Sequence, residues 1–181
     1  MSKYQGIIFI DTLTPGYSNY LLVKMLGRIY IYGEPILRKK TKPVAQITQE
    51  EKQLFDEMLK MMHKAGGIGL AANQVGIDKQ MCVVCLEDKT LKLANPKILK
   101  KNGADVLEEG CLSLPEITVK VKRAKKIICQ ALNESNELIK FEAAELLARV
   151  IQHEVDHLSG KLILDYAPPW QRLALRKKSK N

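Results

Sequence analysis

The segment "QHEVDHLSGKLI", residues 152–163, holds two histidines and a glutamate in the order His153-Glu154-x-x-His157. On a helix, residues four apart lie one turn apart on the same face, so both imidazoles can meet a single metal ion. Glu154 is offset from that face and can take a proton from a water on the ion without binding the ion itself. A Lewis acid that lowers the pKa of water, beside a carboxylate that accepts the proton, is what metal-assisted hydrolysis requires. Two histidines do not complete such a site. Zinc proteases with the long form of this motif run H-E-x-x-H-x-x-G-x-x-H. This chain follows that pattern as far as Gly160 and then places Ile163 where the third histidine would stand.

The third ligand must come from upstream, because after His157 only Asp165 remains as a donor. His63, the one other histidine, falls at the end of a helix and reads as a surface residue. Cys111 is better placed. It stands in "LEEGCLSLP", where Gly110 and Pro115 bracket a turn and strands have just ended, a setting typical of functional residues. A thiolate with two neutral imidazoles would reduce the net charge of a divalent ion and leave a fourth position open for water. Cys129, inside "KIICQAL", reads as core. A third stretch, "GGIGLAANQVG" at residues 66–76, is dense in glycine and alanine, which let backbone approach a ligand closely, and Gln74 adds a side-chain amide donor. It lacks the G-x-G-x-x-G order of a nucleotide loop, and a tight helix-to-strand connection is the competing reading.

These residues need elements to hold them. Thr48-Gln49-Glu50-Glu51 is a capping box that opens a helix, and Leu54, Phe55, Met58, Leu59 and Met62 mark its apolar face up to Gly66-Gly67. A short strand is expected at residues 29–32. "MCVVCL", "LKLA", "KILK", "ITVKVKR" and "KIICQAL" read as further strands, with Asn95-Pro96 and Asn102-Gly103 as breaks. A second helix over about 142–158 carries the two histidines, with Leu146, Leu147, Val150 and Ile151 on an apolar face. "KLILDY" reads as one more strand, followed by Pro168-Pro169 and a basic amphipathic helix. Strands in blocks around helices predict an α+β fold. Its small, mostly antiparallel strands would pack around a central H-E-x-x-H helix, with a second long helix and a C-terminal helix.

With 181 residues, 46% hydrophobic and 27% charged, the chain reads as one soluble domain able to bury its own core. The apolar run Ile7-Ile8-Phe9-Ile10 is too short for a membrane span or a signal-peptide core, so export is not expected. Four cysteines without a secretion signal suggest free thiols in a reducing compartment. Cys82-x-x-Cys85 lies within an apolar strand, where residues three apart face opposite ways, and reads as core. The net charge of +9 suits an anionic partner such as RNA, or merely solvated faces.

Taken together, "GIGLAANQVG" at 67–76, "EGCLS" at 109–113 and "QHEVDH" at 152–157 resemble the three signature motifs of the peptide deformylase family, in its order and with similar separations. The resemblance covers residues 25–181 as one catalytic domain and leaves residues 1–24 as an extension of uncertain role. It implies an α+β metal-dependent hydrolase that removes the formyl group from the N-terminal formylmethionine of newly made polypeptides, releasing formate. It also implies that Cys111, His153 and His157 hold one divalent ion per chain, Fe(II) in the cell, with Zn, Ni or Co able to replace it. Glu154 would be general base and then general acid. The Gln74 side chain and the Leu112 backbone N–H would form an oxyanion hole, with Gly69 beside the formyl group. Ile68, Leu107, Glu109, Leu146 and Val150 would line the methionine pocket. Asn73 stands where the family most often has proline or another small residue, a departure outside the chemistry. The expected partners are N-formylmethionyl nascent peptides and, through the basic tail, the ribosome. A cytoplasmic monomer of bacterial type is expected, an organelle being compatible, with no membrane or DNA partner. Two rivals remain. A zincin-type endopeptidase is opposed by Ile163 and by the lack of a downstream glutamate. A basic RNA-binding protein with a structural metal would leave Glu154 without a role.

Overall fold

The computed structural model describes residues 27–178, so the extension expected over 1–24 lies outside the described residues, as do 25, 26 and 179–181. Helix α1, Gln49–Lys64, begins at the expected capping box: the Thr48 side chain accepts from the Glu50 amide, and Glu51 accepts from the Thr48 amide at 3.0 Å. Its stripe of Leu54, Phe55, Met58 and Met62 is at most 1% exposed.

Seven strands follow, β1 Gly69–Ala71, β2 Met81–Leu86, β3 Lys89–Asn102, β4 Asp105–Cys111, β5 Leu114–Arg123, β6 Lys126–Leu132 and β7 Leu138–Ala144. They form a five-stranded sheet in the order β1-β2-β3-β6-β7 and a separate β4–β5 hairpin, every pairing antiparallel. Helix α2, Glu145–Leu158, then leads through a 3-10 turn at Ile163–Tyr166 to helix α3, Pro169–Lys178. This is the α+β class expected, with three helices among the described residues.

The core explains why "MCVVCL" is apolar throughout. Successive side chains of a strand point to opposite faces. On one face Met81 and Val83 pack with Leu54, Phe55 and Met58 of α1; on the other, Val84 packs with Ala148 and Ile151 of α2, and Cys82 with Leu158. Strand β2 is therefore buried between the two helices. Burial pushes the Cys82 thiol well above its ordinary value and Cys129 to about 11, so both behave as small apolar side chains, and all four cysteines are free.

Four expectations need correction. Residues 29–32 are not a strand: the Tyr30 amide donates to the Gln74 carbonyl at 2.7 Å and the Tyr32 amide to the Ser113 carbonyl at 2.8 Å, so the segment laces two loops together. "LKLA" and "KILK" are one strand, β3. Asn95 takes a left-handed conformation (φ 51°), its side chain pairs with both backbone groups of Val44, and the register shifts between Ala94 and Lys97. Pro96 falls in that bulge, where no ladder amide is needed. "KLILDY" is a 3-10 turn, because Leu162, Ile163 and Leu164 are buried in succession and Asp165 caps the Leu162 amide at 2.9 Å. Finally, residues 142–144 belong to β7, which pairs with β6 as far as Ala144, and α2 starts at Glu145.

The capping box generates a pH prediction. Burial alone would raise the Glu51 carboxyl, but hydrogen bonds from Lys79 and Thr48 outweigh it and hold the group below its ordinary value of 4.5. A depressed folded pKa adds stability above the unfolded value, and that stability is lost as pH falls through the folded one. Thr48→Ala should cost about 1 kcal/mol at neutral pH, read from the urea midpoint. Glu51→Gln should flatten the fall in midpoint as pH drops through and below the ordinary carboxyl value of 4.5.

Candidate metal centre

His153 and His157 project from one face of α2, with ring centroids 4.9 Å apart. Cys111 ends β4 opposite Leu114, at a two-residue turn formed by Leu112 and Ser113. The two histidine Nε2 atoms are 3.2 Å apart, and Cys111 Sγ is 3.2 Å from His157 Nε2. Donor atoms of a tetrahedral site, about 2.1 Å from the ion for nitrogen and about 2.3 Å for sulfur, stand about 3.3–3.6 Å from one another. The triad therefore fits a divalent ion, and a thiolate with two imidazoles suits zinc or iron better than magnesium or calcium. Among the described residues it is the one group of His, Cys, Asp or Glu donors so arranged. His63 is exposed on the last turn of α1 and does not join it. Ile163, where long-form zinc proteases have their third histidine, is 2% exposed and packs under the β4–β5 hairpin with Val119 and Val121.

A second layer holds the first. His153 Nδ1 lies 3.0 Å from Glu109 Oε2, leaving Nε2 to face the triad. Glu109 accepts in turn from Arg123, at 2.9 and 3.0 Å, and from Arg149 at 2.7 Å. Burial would raise the Glu109 carboxyl, yet the hydrogen bonds from His153 and Arg123 pull it down to about 2. Arg123 also pairs with Asp156, whose carboxylate accepts from the Tyr166 hydroxyl at 2.6 Å. His153 shows the pull of these anions. Burial opposes its charge, but Cys111 and Glu109 carry its pKa up to about 10, while burial and the neighbouring His153 push His157 well below the imidazole range.

Glu154 faces the same cavity and is 2% exposed, with Oε2 buried and unpartnered among the described residues. Burial lifts its carboxyl to about 7, against the opposing charges of His153 and Arg123. Gly69 lies directly against it: a Cβ there would collide with Glu154 Oε1 and come within 2.8 Å of Val150. Gln74 sits on a 3-10 turn, Ala72–Val75, where Oε1 accepts from the Ala71 amide at 2.8 Å. Its Nε2 reaches Ser113 Oγ at 3.1 Å and Cys111 Sγ at 3.7 Å. The cavity has a volume of about 420 Å³, and Ile68, Glu109, Leu112, Leu146 and Val150 contribute to its lining. Leu107, expected there, is not among the lining residues; it is 49% exposed and pairs with Val121.

Three residues of the site were not anticipated from sequence. Arg123 closes the alternation of "ITVKVKR" at an inward position, and a buried cation there calls for a buried anion. Arg149 lies four residues before His153, on the same helical face, and lines the cavity. Asn73, read as remote from the chemistry, is fully buried and donates to the His157 carbonyl at 2.6 Å; nothing in its local sequence signals this contact.

The family profile described as polypeptide deformylase matches residues 26–173. A peptide deformylase of Nitrosococcus oceani is 46% identical over 151 residues, covering 82% of this chain and 90% of that protein. The crystal structure of peptide deformylase from Thermotoga maritima is 40% identical with a TM-score of 0.76, covering 78% of this chain and 97% of that one. A peptide deformylase from Synechococcus elongatus, crystallised in complex with actinonin, gives a TM-score of 0.79 at 40% identity, covering 83% of this chain and 86% of that one. With its three motifs gathered at one cavity, the chain belongs to the peptide deformylase family of metalloenzymes, hydrolases that remove the formyl group from the N-terminus of nascent polypeptides.

Proposed function

We propose that Cys111, His153 and His157 hold one divalent ion, iron(II) in the cell with zinc, nickel or cobalt able to replace it, and that Glu154 moves the protons of deformylation. The observation that carries this reading is the Glu154 carboxyl group: buried beside the triad, with one oxygen unpartnered among the described residues and a pKa near neutrality. A purely structural carboxylate at that depth would be expected to be paired. When bound, the ion supplies Lewis acidity and brings the pKa of a water toward neutral.

Each remaining role falls to a residue of this chain. The methionine side chain enters the apolar part of the cavity, against Ile68, Leu146 and Val150. Gly69, having no side chain, lets the formyl group approach the triad and Glu154. Glu154 Oε2 takes a proton from the attacking water and delivers it to the leaving amine nitrogen, so water and the formamide become formate and a free N-terminal methionine. The Gln74 Nε2 and Leu112 backbone N–H donate to the carbonyl oxygen as charge develops on it. Glu109, assigned from sequence to the pocket lining, also fixes the orientation and tautomer of His153.

We further assign residues 25–181 to one catalytic domain with 1–24 as an extension, in a monomeric cytoplasmic enzyme without membrane or DNA partners. Among the described residues no helix is long and apolar enough to cross a membrane. The basic tail from Pro169, with Trp170 73% exposed at its start, would meet the phosphates of the ribosome where formylated chains emerge.

Anaerobically purified protein should contain about one iron per chain; Cys111→Ala should empty the site, and His63→Ala should leave metal content unchanged. Glu154→Gln should keep its metal and fold while turnover of formyl-Met-Ala-Ser, followed as formate release, drops at least ~10²-fold. Truncation after Pro168 should abolish ribosome co-sedimentation at low salt while sparing turnover of the free tripeptide. Co-sedimentation that survives the cut would leave the tail a solvated helix.

A further inference from the structure

A single 3-10 turn, Ala72–Val75, touches two metal-ligand residues that come from different elements. Gln74 reaches from it to Cys111 Sγ at the end of β4, and Asn73 reaches from it to the backbone carbonyl of His157 on α2. The second contact is short, 2.6 Å, and spans 84 residues of sequence. It falls in the last turn of α2, where the same carbonyl also accepts from the Gly160 amide at 2.9 Å, so Asn73 adds a tertiary bond to a local one. His157 is also the ligand with the least side-chain support. His153 has Glu109 behind its Nδ1, whereas His157 Nδ1 is buried without a partner among the described residues.

Asn73 is itself an unusual choice for structure alone. It is 0% exposed, and its Oδ1 is buried without a partner among the described residues. Burying an unpaired acceptor is unfavourable, so the amide contributes through its one donor bond. The neighbouring carbonyl, Leu158 O, shows what ordinary capping looks like at this helix end: Thr41 donates to it with both its amide, at 2.9 Å, and its hydroxyl, at 3.0 Å. Both of these Thr41 bonds go to Leu158 rather than to Gln74 or a ligand residue.

We propose that Asn73 is a positioning residue of the metal centre. By clamping the His157 backbone to the turn that carries Gln74, it fixes the distance between His157 and Cys111 and places the carbonyl-polarising amide relative to the ion. The inference rests on the reading of the triad as the metal site. Groups that support metal ligands from behind typically alter metal affinity or activity by ~10–100-fold when lost.

The test compares zinc release from zinc-loaded full-length protein into excess chromogenic chelator, alongside melting temperature. Asn73→Ala removes the clamp. Asn73→Leu removes it while keeping the buried volume filled, so that one variant folds even if the other does not. Both should release zinc at least ~10-fold faster than the parent. In the iron- or nickel-loaded enzymes, kcat for formyl-Met-Ala-Ser should fall while KM stays within about twofold, the pattern of a lost transition-state interaction. Thr41→Val, which removes a cap from the same helix end, should lower the melting temperature and leave zinc release and kcat at parental values. Parental zinc release in Asn73→Leu, or equal acceleration in Thr41→Val, overturns the proposal and makes the contact a helix cap only. A parent protein that holds no stoichiometric zinc would instead overturn the assignment of the triad.

Discussion

An anionic carboxylate withdrawn from water must be met by enough charge and hydrogen bonding to replace its hydration, and removing one partner of a buried pair commonly costs about 3–5 kcal/mol. Glu109, 6% exposed, meets that requirement through groups from two elements: Arg123 at the end of β5, and Arg149 with His153 on α2. The β4–β5 hairpin shares no ladder with the five-stranded sheet, so no backbone pairing with that sheet fixes the distance from Cys111 to the helical histidines. The Glu109 cluster does so. It locks β4 two residues from its terminal cysteine against the face of α2 that presents His153, while the apolar cluster around Val119, Val121 and Ile163 supports the hairpin from below.

The five-stranded sheet sets the other half of the site. Because β2 is packed on both faces, the short strand β1 beside it is held in fixed register, Gly69 against Val84 and Ala71 against Cys82. That register brings the Gly69 backbone against Glu154, an approach that any side chain would block. The same turn of chain then delivers Gln74, anchored by its own hydrogen bond to the Ala71 amide. One strand and one turn thus bring the Gly69 backbone and the Gln74 amide to the cavity that Glu154 faces from α2.

Much of this was legible in residue order. The i, i+4 spacing of His153 and His157, the capping box at Thr48 and the methionine stripe each encode a local geometry that a helix alone fixes. The α+β class followed from the grouping of strands. What could not be read were the features that depend on distant partners. Asn95-Pro96 looks like a break because both residues favour turns, yet Val44 provides backbone groups that let the strand continue through a bulge. The strand-like "KLILDY" coils because all sides of Leu162, Ile163 and Leu164 find apolar neighbours, which erases the alternation a strand needs. Arg149 and Asn73 bind groups 40 and 84 positions away, and nothing adjacent to them announces it.

The lacing by residues 30–32 bears on how the molecule comes into being. Tyr30 and Tyr32 tie down the carbonyls of Gln74 and Ser113, and the histidines arrive only with residues 153–157. Every part of the cavity therefore waits on contacts of long sequence separation, whose loop closures are entropically costly and slow. On a chain emerging from its N-terminus, no product that stops short of α2 contains the His153–His157 pair, two of the three donor residues gathered at the cavity. An enzyme that acts on nascent polypeptides is thus unable to process any chain, its own included, until α2 has been made and has docked.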